Sequence, residues 1–143
     1  MQIITASVEE KTSTLRKNRY FSSLDEETLL ALAQGAQLHR YEPDEIICWH
    51  GEPCLGLYII RRGRVKLFKL SAKGRELIIE IFQAETTFNE VPVFEDGLNV
   101  VNVAALEERK IWLIKKEEAL QALRTHPETA HAVILNLSQN LRM

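Results

Sequence analysis

QLHRYEPDEIICWHGEPCLGLYIIRRGRVKLFKLSAKGRELIIEIF, residues 37–82, decides the fold. Its runs QLHRY, EIICWH, LGLYIIRR, RVKLFKLS and RELIIEIF are rich in residues that suit a pleated, half-buried surface. Turn residues separate them at Glu42-Pro43-Asp44, Gly51-Glu52-Pro53, Arg62-Gly63 and Ala72-Lys73-Gly74. Two further runs, NVVNVAAL and KIWLIK, follow the Asp96-Gly97 turn. Seven or eight strands at a spacing of about ten residues imply a barrel or jelly roll. Closure would hide the sheet edges and leave an interior able to hold one small ligand. Gly51, Gly63 and Gly74 fall where turns need positive φ or close backbone approach. Two-residue alternation points Leu57, Ile59, Val65 and Leu67 inward. The seven cations from Arg61 to Arg75 fall at strand ends or outward positions and read as a solvated hairpin.

Helical texture flanks this block. Ser7 and Glu10 have capping-box spacing, which predicts a helix over residues 8–18. In SSLDEETLLALAQGA, Ser23 is the expected cap, and Asp25, Glu26 and Glu27 suit the positive end of the helix dipole. Gly35 is the expected stop. After Lys115, EEALQALRTH predicts a short helix ended by His126-Pro127, and Pro127 fits the first turn of the next. In that second helix Val133, Ile134, Leu137 and Leu141 are expected on one stripe, suited to a helix partner or to the barrel.

Composition narrows the function classes. The chain has 143 residues, 45% hydrophobic and 27% charged, the balance of a single soluble globular domain. A net charge of −2 gives no global reason for nucleic-acid binding by these residues. No apolar run reaches the roughly 18 residues of a membrane span, and the first residues lack the order of a signal peptide, so a cytoplasmic location is expected. Two cysteines, Cys48 and Cys54, are too few for a stand-alone zinc site and read as free thiols. No G-x-S-x-G, Walker or Rossmann sequence appears, and no H-x-H pair supports a cupin-type metalloenzyme, so an enzyme is not expected.

The ordered motifs go further. Phe21, Leu24, Glu27, Leu29 and Leu32-Ala33 are followed by Tyr41, Asp44-Glu45-Ile46 and Gly51-Glu52-Pro53. Leu57-Tyr58-Ile59-Ile60, Gly63, Val65 and Gly74-Arg75-Glu76 complete the set. At these spacings the chain resembles the cyclic-nucleotide-binding-like sensor domain of the CRP/FNR superfamily of bacterial transcription regulators, over residues 20–142. The resemblance implies a mainly β fold with flanking α: a double-stranded β-helix (jelly roll) of about eight strands, N-terminal helices and the start of a long C-terminal helix. It divides the chain into an N-terminal helical segment (1–19), the sensor barrel (20–126) and the start of a dimerisation helix (127–143). It also implies a small-molecule effector, a homodimeric parent and DNA binding only through a domain outside these residues, with no membrane partner.

TFNEVPVFEDGLNVVNVAALEE, residues 87–108, occupies the place of that family's phosphate-binding cassette. In the nucleotide-binding members a Gly lets the backbone approach the ligand, a Glu accepts the ribose hydroxyl and an Arg pairs with the cyclic phosphate. This chain keeps Phe88 and Glu90, with Val91 after them. Asn89 stands for the Gly, Asn99 for the Arg and Val100 for the Ser/Thr, followed by Val101; Glu85-Thr86 replaces the usual Gly-Asp. These residues are the candidate ligand-binding set. A charged hydrogen bond contributes about 1.5–3 kcal/mol, and keeping Glu90 without the Arg gives the pocket the wrong sign for a phosphate. A response to cyclic AMP is therefore not expected.

Cyclic nucleotide and haem both remain as cofactors, neither favoured. His39, His50, His126, His131, Cys48 and Cys54 are the haem or metal candidates. Among them Cys48, His50 and Cys54 cluster in CWHGEPC, with Cys48 and His50 expected on one strand face as a redox or haem site. Residues 1–20 contain no cysteine, which excludes the iron–sulfur mechanism for these residues. A third reading is a ligand-free dimerisation module.

Overall fold

The computed structural model describes residues 1–142. Among the described residues nine strands form two sheets, and five helices lie around them. In chain order the elements are β1 (Gln2–Ile4), α1 (Val8–Lys17), α2 (Glu26–Gly35), β2 (Gln37–Tyr41), β3 (Ile46–Cys48), β4 (Gly56–Arg62) and β5 (Val65–Leu70). They continue with β6 (Glu76–Phe82), β7 (Thr87–Phe88), α3 (Glu90–Phe94), β8 (Asn102–Ala105), β9 (Arg109–Lys115), α4 (Lys116–Thr125) and α5 (Pro127–Leu141). The sheet orders are β1-β2-β9-β4-β7 and β3-β8-β5-β6, antiparallel throughout. This is the expected jelly roll, with one correction: no hydrogen-bonded ladder closes the two sheets into a barrel among the described residues. An isolated bridge, Pro53 to Leu98, is the link outside the ladders, and β6 ends its sheet with Leu77, Ile78, Ile79 and Ile81 exposed.

Each of the expected runs forms a strand, and Gly51, Gly63 and Gly74 all take positive φ (86°, 92° and 77°). At Gly63 a side chain is doubly excluded, since a Cβ would also lie 1.9 Å from the Arg109 guanidinium. Gly56 has another reason to lack a side chain: its Cβ would sit 2.0 Å from the Ile114 carbonyl oxygen on β9.

The core has two layers because β4 and β9 are buried on both faces. Tyr58, Ile60, Ile111 and Leu113 turn between the sheets, against Val65, Val103 and Ala105. Leu57, Ile59, Trp112 and Ile114 turn the other way, onto Leu29 and Leu32 of α2, Ala119 and Leu120 of α4 and Val133 of α5. Leu57 and Ile59 thus correct the inward assignment, whereas Val65 and Leu67 face the interior as expected. Alternation fixes which residues share a face, but not which face is inner when both are apolar.

Ser7 caps α1 by accepting the Glu10 backbone N–H at 3.1 Å. Ser23 does not cap α2. The residues before it form turns around Asn18 to Leu24, and Asp25 takes the cap position instead. Gly35 is the last residue of α2, where the Glu118 carboxylate occupies the space of its missing side chain. Pro127 opens α5 as expected. The expected stripe on α5 splits: Val133 is buried and Leu137 packs on the core, but Ile134 and Leu141 are 62% and 86% exposed. Position 134 is turned about 100° from 133, and the core takes the side of 133 and 137. None of the described helices is long and apolar enough to cross a membrane.

Candidate functional site

The cassette residues begin on an aromatic floor. Tyr58 and Phe88 are register partners on β4 and β7. Their rings stack at 5.0 Å and 12°, with Phe82 tilted against Phe88 at 6.4 Å. The chain then turns at Asn89, whose φ of 79° and ψ of 24° lie in the left-handed region. Asparagine is one of the few residues that takes this conformation without glycine's freedom. Its amide secures the turn, donating to the Gly56 carbonyl at 3.1 Å and to Asn99 Oδ1 at 3.4 Å, with Cys54 Sγ 3.3 Å away. Asn99 is buried, donates to the Trp49 carbonyl at 3.2 Å and exchanges backbone bonds with Glu52 and Gly51. Asn89 and Asn99 therefore bond to each other and to the backbone. Val91 and Val100 are exposed, and Val101 packs on the inter-sheet core.

Glu90 opens α3 and faces the helices. Its carboxylate accepts from the Tyr20 hydroxyl at 2.5 Å, and that hydroxyl accepts from Asn136 Nδ2 on α5 at 2.5 Å. Asn136 Oδ1 in turn accepts from Arg19. Tyr20 and Asn136 are buried, so this chain of bonds ties the cassette to α5 through the turn after α1. Burial pushes the Glu90 carboxyl up, against the opposing hydrogen bond from Tyr20. Burial first, and then Glu90, push the Tyr20 hydroxyl well above its ordinary range, so it stays a donor.

Beside these groups lies a space of about 840 Å³ between β6, β7, the Lys17–Tyr20 turn and α5. Lys17 and Arg19 line it, together with Glu80, Glu85 and Glu90 and the amides of Asn136, Gln139 and Asn140. Two cations against three carboxylates leave no positive excess to offer a phosphate. A polar ligand with donor groups suits it better.

The cysteine–histidine candidates do not assemble. Cys48 is buried between the sheets, and burial pushes its thiol up to about 12. Cys54 lies in the helix-facing core, its thiol also raised by burial. The expected pairing of Cys48 and His50 on one face is corrected: β3 carries a bulge and ends at Cys48, leaving His50 exposed, with its backbone N–H on Asn102 Oδ1. His39 is buried beside Gln37 and Tyr41, His126 bonds Thr28, and His131 is exposed. No three His, Cys, Asp or Glu side chains converge as a metal site among the described residues. Tyr20 and Asn136 were not apparent as site residues in the sequence. Asn136 carries one signal, a polar residue three positions after Val133 on the buried side of α5.

Residues 38–126 match the family model for the cyclic nucleotide-binding domain. The chain is 26% identical over 117 residues to the cyclic AMP receptor protein of Thermus thermophilus, covering 82% of this chain and 54% of that protein. It is 23% identical over 122 residues to a CRP-like cAMP-activated global transcriptional regulator of Mycobacterium tuberculosis, covering 85% and 54%. The sensor domain of the transcriptional regulator DNR from Pseudomonas aeruginosa superposes with a TM-score of 0.84 at 25% identity, over 94% of this chain and 90% of that one. The chain spans about half the length of these two curated relatives.

Proposed function

The chain belongs to the cyclic nucleotide-binding domain family, in the form of the sensor domain of CRP/FNR-type regulators, and on that premise we propose that it senses a small polar effector other than a cyclic nucleotide. This is a regulatory rather than an enzymatic family. The carrying observation is the Asn89–Asn99 pair. It holds the turn that nucleotide-binding members hold with a glycine, and it leaves no arginine at the phosphate position. On this reading Phe88, Asn89, Glu90, Val91, Asn99, Val100 and Val101 form a ligand-binding cassette with no arginine to grip an anion.

The effector occupies the polar space beside Glu90 and acts on α5 through Tyr20 and Asn136. Residues 20–126 serve as the sensor in a cytoplasmic parent protein, and residues 127–143 lead towards a DNA-binding domain. The parent is a homodimer. The exposed Ile134, Leu135 and Leu141 of α5 and the exposed apolar side chains of β6 support that assembly. Haem loses its support here, since none of the four histidines lines the space beside Glu90.

Calorimetry with cyclic AMP and cyclic GMP tests the reading. No binding tighter than about 100 μM, near −5.5 kcal/mol, is expected. A micromolar heat signal from either nucleotide overturns it.

A further inference from the structure

A second cavity, about 210 Å³, lies on the helix-facing side of the five-stranded sheet, between α1 and strands β4 and β9. Ser13 and Lys17, four residues apart on α1, line it with Arg61 at the end of β4 and Glu85 from the β6–β7 loop. Ile59 and Trp112 give it an apolar floor. It shares Lys17, Asn18 and Glu85 with the space beside Glu90, so each is a wall between the two.

One feature of this cavity is unexplained by folding. Trp112 is 2% exposed, yet its indole N–H has no acceptor among the described residues, an exception among buried donors. Around it, Ser13, Lys17, Arg61 and Glu85 are exposed side chains. Glu85 turns the β6–β7 loop with a φ of 71°, its N–H on the Ile60 carbonyl at 2.6 Å. Lys17 and Glu85 form no ion pair among the described residues, and Arg61 has an exposed contact of 3.4 Å with Glu10. The rim therefore presents two cations, one carboxylate and a hydroxyl over aliphatic and indole surface.

We propose that this cavity binds a small aliphatic α-amino acid as its zwitterion. Lys17 and Arg61 meet the carboxylate, Glu85 accepts from the ammonium, and the side chain lies over Ile59 and Trp112. The indole N–H and the Ser13 hydroxyl are the remaining donors for the carboxylate. A space of about 210 Å³ leaves room for a solute of valine's size. This proposal does not rest on the reading of the cassette.

The chain has two tryptophans, so Trp49→Phe leaves Trp112 as the sole emitter. That variant is titrated with L-valine, isovalerate and isobutylamine, with amide ¹H–¹⁵N shifts followed in parallel. Saturable valine binding is expected in emission or in the Ser13, Lys17 and Glu85 amides. Isovalerate, isobutylamine, and valine with Glu85→Gln or Arg61→Gln should each bind weaker by about tenfold or more, the worth of one charged hydrogen bond. No response to valine up to about 10 mM, beyond even the millimolar range, overturns the proposal. Equal affinity for isovalerate, an unchanged Glu85→Gln titration, or shifts confined to other surfaces overturn it as well.

Discussion

Tyr20→Phe is the sharpest perturbation of the link between cassette and α5. The ring is fully buried and meets Phe21 and Phe94 edge-on, at 6.3 and 6.2 Å. Phenylalanine keeps those contacts and removes only the hydroxyl. The bond to Glu90 contributes about 1.5–3 kcal/mol when the carboxylate is ionised, and the one from Asn136 about 1 kcal/mol. Both stranded partners border a space of about 840 Å³, where water replaces part of what is lost. A net loss of about 2 kcal/mol at pH 8 follows, near 6–10 °C in Tm for a domain of this size. Urea and thermal unfolding measure the total, and hydrogen exchange locates it. Amides of α5 near Asn136 should lose protection beyond the global change, because Asn136 loses its anchor, while those of α2 follow the global change alone. A loss under about 0.5 kcal/mol, the level of an ordinary surface substitution, refutes the reasoning, as does uniform exchange with no excess in α5.

Glu90→Gln tests the same network by pH. Burial holds the Glu90 carboxyl above its ordinary 4.5, so the protonated form is favoured in the fold. The stability it contributes is complete below 4.5 and is lost as pH rises through the raised value. The Tm of the wild type minus that of Glu90→Gln should fall as pH rises above 4.5; a flat or rising difference from pH 4 to 8 contradicts the assignment. Asn89→Ala loses the amide bonds to Gly56 and Asn99 and keeps a β-carbon in the left-handed region, costing about 2 kcal/mol. Asn89→Gly relieves the backbone part and should recover about 1 kcal/mol of it in urea unfolding; no recovery means the φ of 79° is unimportant. Ile134→Asp should lower dimer content in sedimentation velocity if α5 carries the interface, and an unchanged distribution removes that face from the proposal.

The strands were legible where local chemistry sufficed. Apolar runs between Gly and Pro turns gave β2 to β6, β8 and β9, and positive φ at Gly51, Gly63 and Gly74 followed from the same punctuation. The strands β1 and β7 were not visible. They have three and two residues, too few for periodicity, and exist through pairing with β2 and β4. The orientation of β4 escaped for the opposite reason, since GLYII is apolar on both faces and alternation then carries no sign. At the site, the special residues of the cassette could be named from position. Their partners could not, because Tyr20 meets Glu90 across 70 residues and Asn136 across 116.

That separation bears on how the sensor would work. The Tyr20 hydroxyl is shared, donating to Glu90 and accepting from Asn136, so an effector group that takes Glu90 must also disturb the hold on α5. If releasing the hydroxyl costs about 2 kcal/mol, an effector using Glu90 binds roughly 30-fold more weakly than its contacts alone imply. The same free energy bounds the coupling: a ligand shifts the position of α5 only by its differential affinity for the held and released states. An effector that fills the space without touching Glu90 escapes the discount and moves α5 little. Tyr20→Phe should therefore tighten binding of an effector that uses Glu90 while weakening its effect on α5, a pairing that loss of a merely structural contact does not produce.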